Sequence, residues 1–407
     1  MKKLLLLLLL FISKCVVAQS PIPGYRLAAQ RLPACFDELL KCNCIHQIFQ
    51  DSKGFLWFAT SLALIRFDGY DFKYFKNEPG NSKSVSHNHV YKIAEDKDGN
   101  IWVGLNQNGI SKYDPIANEF TNYNVSSNDS SSEMAVESIF IDMNDEVWFS
   151  LGYSGLYHLN KKTNAFDNHK IVTRENCPHL TENSAHYSNY VMDMKDRDKN
   201  TLWLGTPEGL FIFDKRSGTS TPIRSKPVDT TKPADYNARR IIKDGDLLWI
   251  GGWASGMQSY NTKTGRWEQF LFSKQGRGIY TDNIIIDMAE KSADEIWVAS
   301  SDRGFGVFNK HTKTTLFFSD DALYGYMPKT ASHLIFQDRQ QNVWTTFEKA
   351  FFKFSVQPDQ IQAFKIASYK NQNNGGSSVN AVFEDISGRF VLAGTSFSDG
   401  IVVTDKK

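Results

Sequence analysis

Ile93-Ala94-Glu95-Asp96-Lys97-Asp98-Gly99-Asn100-Ile101-Trp102-Val103-Gly104 joins the end of one short apolar strand to a second strand centred on a tryptophan. The acidic, Gly and Asn residues between them tolerate the left-handed backbone of a tight hairpin. The same order of residue types returns along the whole chain, as Leu56-Trp57-Phe58, Val147-Trp148-Phe149, Leu202-Trp203-Leu204, Leu248-Trp249-Ile250, Ile296-Trp297-Val298 and Val343-Trp344-Thr345. Successive Trp residues lie 45, 46, 55, 46, 48 and 47 positions apart, and an eighth copy, Phe390-Val391-Leu392, has lost its Trp. A fixed period of this length marks a repeat architecture.

Each unit reads as four strands. An apolar strand such as Val90 to Ala94 precedes the turn, and the Trp strand follows it. Next comes a Gly-apolar segment ending in an aromatic and an acidic or Asn residue, as in Gly109 to Asp114, Gly209 to Asp214 and Gly304 to Asn309, with Ala63 and Ala350 replacing the Gly in the first and seventh copies. A fourth, aromatic-rich strand closes most units, as Phe72 to Phe75, Phe120 to Tyr123 and Trp267 to Phe270. The Trp strand is apolar at consecutive positions, the pattern of a sheet covered on both faces. Four short strands in about 45 residues describe a β-propeller blade, whereas the coils of a β-solenoid are shorter. The fold class is therefore all-β: a propeller of four-stranded blades, seven closed over residues 25–355, with residues 356–407 opening a second, truncated propeller. The alternative is a single eight-bladed ring, in which the segment near Tyr25 to Leu27 supplies the missing outer strand.

Forty-six basic residues against 45 acidic ones give a net charge of +1 without a long basic run, which argues against nucleic acid. Met1-Lys2-Lys3, the apolar run to Ser13 and the small Ala18 form a signal-peptide pattern over residues 1–18. A lipoprotein reading puts acylation at Cys15, against which Lys14 stands. The apolar run is too short to remain as a membrane span, and no later stretch reaches that length. Cys35, Cys42, Cys44 and Cys177 follow it, in a compartment where disulfides persist, and their connectivity stays open.

Ile48-Phe49-Gln50-Asp51-Ser52-Lys53-Gly54-Phe55-Leu56-Trp57-Phe58, with Arg66-Phe67-Asp68-Gly69 and the stretch quoted first, resembles the two-component regulator propeller repeat and the opening of hybrid two-component sensors of Bacteroidetes. The resemblance covers nearly all of residues 25–407. It implies a periplasmic sensor region whose relatives carry two seven-bladed propellers, a β-sandwich, a membrane helix, a histidine kinase, a receiver and a DNA-binding module, and many of which sense breakdown products of glycans. The kinase and DNA-binding parts lie outside this sequence.

No phosphate loop, zinc-protease helix or nucleophile elbow occurs, so no enzyme, cofactor or metal is expected. Asp51, Asp96, Asp142, Asp214 and Asp338 recur with the repeat and read as turn formers, and the Trp series reads as inter-blade packing. In an up-and-down blade, the loops between second and third strands and the connections between blades emerge on one face. That face is expected to bind, and it gives ten candidate ligand-binding residues: His87, Asn106, Asn108, Tyr153, Arg239, Arg240, Trp253, Asp302, Arg303 and His333. Arg239 and Arg240 suit acidic sugars or a partner's carboxylates. The expected partner is an oligosaccharide or other small ligand, and a second expected partner is another copy of the chain, in a homodimer through the propellers. Two other readings are a dimerisation scaffold and a secreted polysaccharide-cleaving propeller.

Overall fold

In the computed structural model, residues 45–107, 109–125, 135–224, 237–253, 255–272, 283–320 and 331–347 are described in full, and residues 27–30, 350–356, 379–384, 390–394 and 401–404 as strands. The chain divides into two units, 1–361 and 362–407. The first holds seven four-stranded antiparallel sheets. Six of these blades are consecutive in sequence, at 45–75, 90–123, 136–169, 193–223, 240–270 and 285–317. The seventh takes three strands from 332–356, and its outer strand is Leu27–Gln30, paired antiparallel with Ala350–Val356. The chain leaves this blade one strand short, and the exposed edge of Ala350–Val356 is satisfied by the N-terminal strand.

That pairing corrects the eight-bladed alternative, because the N-terminal strand completes blade seven and the ring closes there. Leu334, Trp344 and Phe351 of blade seven share one core cluster with Ile48, Phe58 and Ile65 of blade one. The Arg339 backbone N–H also donates to Gln50 Oε1 across the same seam, at 2.8 Å. The second unit contains a three-stranded antiparallel sheet of Val379–Glu384, Phe390–Gly394 and Ile401–Thr404.

The core consists of seven clusters, each spanning a pair of neighbouring blades. The repeat Trp sits in the middle of each, and none of the seven is more than 3% exposed. A buried indole removes about 150–250 Å² from water, worth about 4–6 kcal/mol, so the period in the sequence follows the main source of stability.

The recurrent Asp is tied to that Trp. Asp51, Asp96, Asp142 and Asp338 each take the indole N–H of the Trp six residues on with Oδ2, at 2.8–3.1 Å. Their Oδ1 atoms accept a backbone N–H of the intervening turn at 2.8–2.9 Å. One carboxylate thus shapes the hairpin and satisfies a donor that is otherwise buried without a partner. Where the sequence puts Arg197 and Lys291 at that place, the cation lies over the indole of Trp203 or Trp297 at 5.6 Å.

Asp214 belongs to a different series. With Asp68, Asp114, Asn160, Asn261 and Asn309 it accepts backbone N–H groups two and three residues ahead, in the turn from third to fourth strand. The fourth residue onward is left-handed in five of these turns, at Asn118, Asn164, Gly218, Gly265 and Lys313.

The long connection after blade three folds into a short helix, Glu182–Tyr187, capped by Thr181 Oγ1 on the Ser184 N–H. Cys177 is a free, buried thiol beside it and accepts from Arg224 Nη2 at 2.9 Å. Burial pushes that thiol above its ordinary pKa. Cys35, Cys42 and Cys44 lie outside the described residues.

Candidate ligand-binding channel

The first strands of the blades wall a central cavity of about 450 Å³. Five of the seven are bulged, their register jumping at Ile45/Gln47, Val90/Lys92, Val136/Ser138, Ile285/Asp287 and Ser332/Ile335. A bulge re-aims side chains and tightens the local twist. The residue just past the bulge, or its equivalent, faces the cavity in every blade: Gln47, Lys92, Ser138, Asp193, Arg240, Asp287 and the apolar Leu334.

Most of these residues stitch neighbouring inner strands together. Gln47 Oε1 accepts from the Ile93 N–H at 2.8 Å, and Ser138 Oγ donates to the Val191 carbonyl at 2.7 Å. Asp193 Oδ2 accepts from the Ile241 N–H at 2.8 Å, and Asp287 Oδ2 from the Ile335 N–H at 3.1 Å. Arg240 Nε donates to Asp287 Oδ1 at 2.6 Å. Lys92 is the exception. Among the described residues its ammonium has no hydrogen-bond or ion-pair partner, although Glu137 and Asp287 act on it electrostatically. Burial and then the Arg240 charge pull its pKa down to about 8.

Just before the inner strand of blade five, Arg239 Nε donates to the Ile286 carbonyl at 3.0 Å, while its terminal guanidinium nitrogens have no partner among the described residues. Tyr190 donates to Glu137, and burial followed by the Glu137 charge raises its pKa, keeping it a neutral phenol. Tyr153 stands over this pair, 5.7 Å from the Tyr190 ring and 5.2 Å from Tyr187.

Between blades one and two, His46 Nε2, Ser61 Oγ and His89 Nε2 meet at 2.9–3.1 Å, with both imidazoles stacked on Tyr91. Burial and then His89 lower the His46 pKa to about 4, so the ring is neutral near pH 7. Between pH 6.5 and 4 the unfolded chain therefore takes up a proton that the fold refuses. Stability falls as pH drops through that window, by up to about 3 kcal/mol. Urea unfolding at pH 7 and 4.5 is expected to show a smaller acid loss for His46→Gln than for the parent chain; equal losses would exclude this source.

The ten candidates from the sequence are only partly brought together. Arg240 lines the channel but is engaged by Asp287, while Arg239, which precedes it in the chain, and Tyr153, packed on Tyr190, are outside the cavity lining. His333 lies within the bulge of Ser332–Gln337 and is exposed. His87 Nδ1 accepts from the His89 N–H, placing it behind the His46 cluster. The Asn106 N–H donates to the His89 carbonyl in the next loop. Asp302 accepts from Ser300 Oγ, and the Arg303 guanidinium lies over Phe317 at 5.5 Å, both away from the cavity lining. Trp253 is 53% exposed, the only repeat-independent Trp so placed among the described residues. Asn108 lies outside the described residues. Sequence reasoning missed Lys92, Asp193 and Asp287, which stand ten residues before a Trp; a polar residue at that place inside an apolar strand was the available signal.

Among the described residues, no group of three or more His, Cys, Asp or Glu side chains converges as a metal site, and no helix is long and apolar enough to cross a membrane.

The fold and the bulged, polar channel define a seven-bladed propeller. Two segments, residues 39–61 and 84–107, match the two component regulator propeller family model. Among solved structures it is similar to the extracellular domains named for the hybrid two component systems BT3049 and BT4673 of B. thetaiotaomicron. The first is 20% identical with a TM-score of 0.60, covering 94% of this chain and 48% of that one. The second is 18% identical with a TM-score of 0.58, covering 89% and 46%. The chain thus spans about half the length of those domains. It is also similar to virginiamycin B lyase from Staphylococcus aureus, at 14% identity and a TM-score of 0.55, covering 82% of this chain and 99% of that one. No curated protein matches the sequence.

Proposed function

We propose that the chain is the exported, periplasmic sensing propeller of a two-component regulatory system, and that its channel receives a small, glycan-derived ligand. The observation that carries the reading is the pairing of a regulator-propeller repeat with a polar cavity of about 450 Å³ at the axis. Pockets that enclose small ligands run from about 300 to 1,000 Å³. Support for export comes from the signal-peptide pattern of residues 1–18 and from the extracellular setting of the two similar domains. In this reading phosphotransfer belongs to other domains, and residues 362–407 contribute the first sheet of a second propeller.

Calorimetric titration of the purified chain with a panel of oligosaccharides is expected to give saturable binding at one site, with the sugar recovered intact. Conversion of the ligand would favour a lyase-type propeller, and absence of any binding would remove the sensing role from this chain.

A further inference from the structure

The charges of the channel do not cancel. Arg240 is paired with Asp287 at 2.6 Å and Lys195 with Asp193 at 2.9 Å. Lys243 and Glu290, both exposed toward the C-terminal ends of their strands, add one charge of each sign. Glu137 is engaged by the neutral Tyr190. Lys92 and Arg239 remain, each with donors that no described residue accepts, against the single charge of Glu137. Lys92 lines the cavity on blade two, and Arg239 directly precedes the inner strand of blade five, near enough for its charge to act on Lys92. The excess is one positive charge, held on a partly buried channel wall where an unmatched ion is less well solvated than in open water.

We propose that the channel selects ligands bearing a single carboxylate, a uronic acid sugar, which the Lys92 ammonium and the Arg239 guanidinium hold between them. A planar carboxylate accepts from a guanidinium and an ammonium at once. A dianionic group would instead leave the channel with net negative charge. The His46 ring lines the cavity within electrostatic reach of Lys92 and offers carbon surface to the sugar ring. This inference rests on the ligand-sensing reading and narrows it to one chemical class.

The test compares di-galacturonate with its methyl ester, which keeps the shape and removes the charge, by calorimetry at pH 7 on the whole chain. The acid is expected to bind at least about tenfold more tightly than the ester. In Lys92→Met the two are expected to agree within about twofold, and in Arg239→Gln the preference is expected to shrink. For the parent chain the acid's advantage is expected to decline above pH 8, as Lys92 loses its proton amid Arg239, Arg240, Glu137, Asp287 and His46. Equal binding of acid and ester by the parent chain overturns the proposal without needing either variant to fold. Binding of neutral oligosaccharides alone overturns it while leaving the sensing role intact, whereas silence toward every sugar removes both.

Discussion

Asp96→Ala is expected to unfold about 3 kcal/mol more easily than the parent chain, one of the largest losses available to a single polar substitution in this propeller. Asp96 Oδ2 accepts from Trp102 Nε1 at 2.8 Å, and its Oδ1 accepts from the backbone of Asn100 at 2.9 Å and of Asp98 at 3.1 Å. The Trp102 ring is 1% exposed, so after truncation its N–H stays buried with no water to replace the carboxylate. A buried donor left unmade costs about 1–3 kcal/mol, and the turn loses its internal acceptor as well. Urea denaturation followed by Trp fluorescence measures the change. Trp102→Phe in the same background should recover part of the loss, because it removes the stranded donor. A loss below about 1 kcal/mol, or strict additivity of the two changes, would show that the latch does not hold the blade. Asp214→Ala serves as the contrast. Its carboxylate accepts only turn groups at the surface, so its effect should be clearly smaller.

This difference between two aspartates shows what the sequence makes visible. Every blade must solve the same packing problem, so the contacts that solve it recur with the period: the Trp, its Asp partner, and the Asx turn from third to fourth strand. A regular feature reports a shared physical requirement, and the blade count and strand order follow from it. The closing strand is different. Leu27–Gln30 forms a ladder of four residues with the edge of blade seven, and because that contact is made only once, nothing in the repeat announces it. The helix at Glu182–Tyr187 is equally private to one connection.

The channel is hard to read for the opposite reason. Its lining occupies one fixed place in each unit, yet the residues there are Gln47, Lys92, Ser138, Asp193, Arg240, Asp287 and Leu334, with no common chemistry. Packing does not constrain that place, since the side chains face an open axis, and overlaying the units averages the differences away. Loop composition draws attention to the outer face, where Asp302, Arg303 and Trp253 stand apart from the cavity. Arg239 and Arg240 stand out as adjacent cations, but only the folded ring shows that Asp287 engages the second and leaves the first available. A bulge of one residue, which apolar alternation does not register, decides which side chains line the channel.

Gly205→Val is expected to be more damaging still, leaving little folded protein at 37 °C. Two positions after each Trp the chain carries a small residue: Ala59, Gly104, Ser150, Gly205, Gly251, Ala299 or Thr346. The inner strand of the next blade passes directly over that place. Ser150 Oγ donates to the Val191 carbonyl at 2.7 Å, and a Cβ on Gly251 would lie 2.7 Å from Ile285 Cγ2. At Gly205 the obstacle is the carbonyl oxygen of Ala238, well inside van der Waals contact of any added Cβ. Backbone cannot rotate aside as a side chain does, and Ala238 is fixed by its N–H to the Thr206 carbonyl at 3.0 Å. Accommodating Val therefore means forcing blades four and five apart, which opens the cluster around Trp203, Leu210, Ile241 and Leu248. Overpacking of a tight interior costs about 1–3 kcal/mol where side chains can adjust, and more where they cannot. Limited proteolysis and the yield of soluble monomer report the outcome. Gly205→Ala should lie between parent and Val, while Gly54→Ala, in an open left-handed turn where nothing lies near the added methyl, should stay folded with only a modest loss. If Gly205→Val folds as well as Gly54→Ala, the blades are not held in contact at that point.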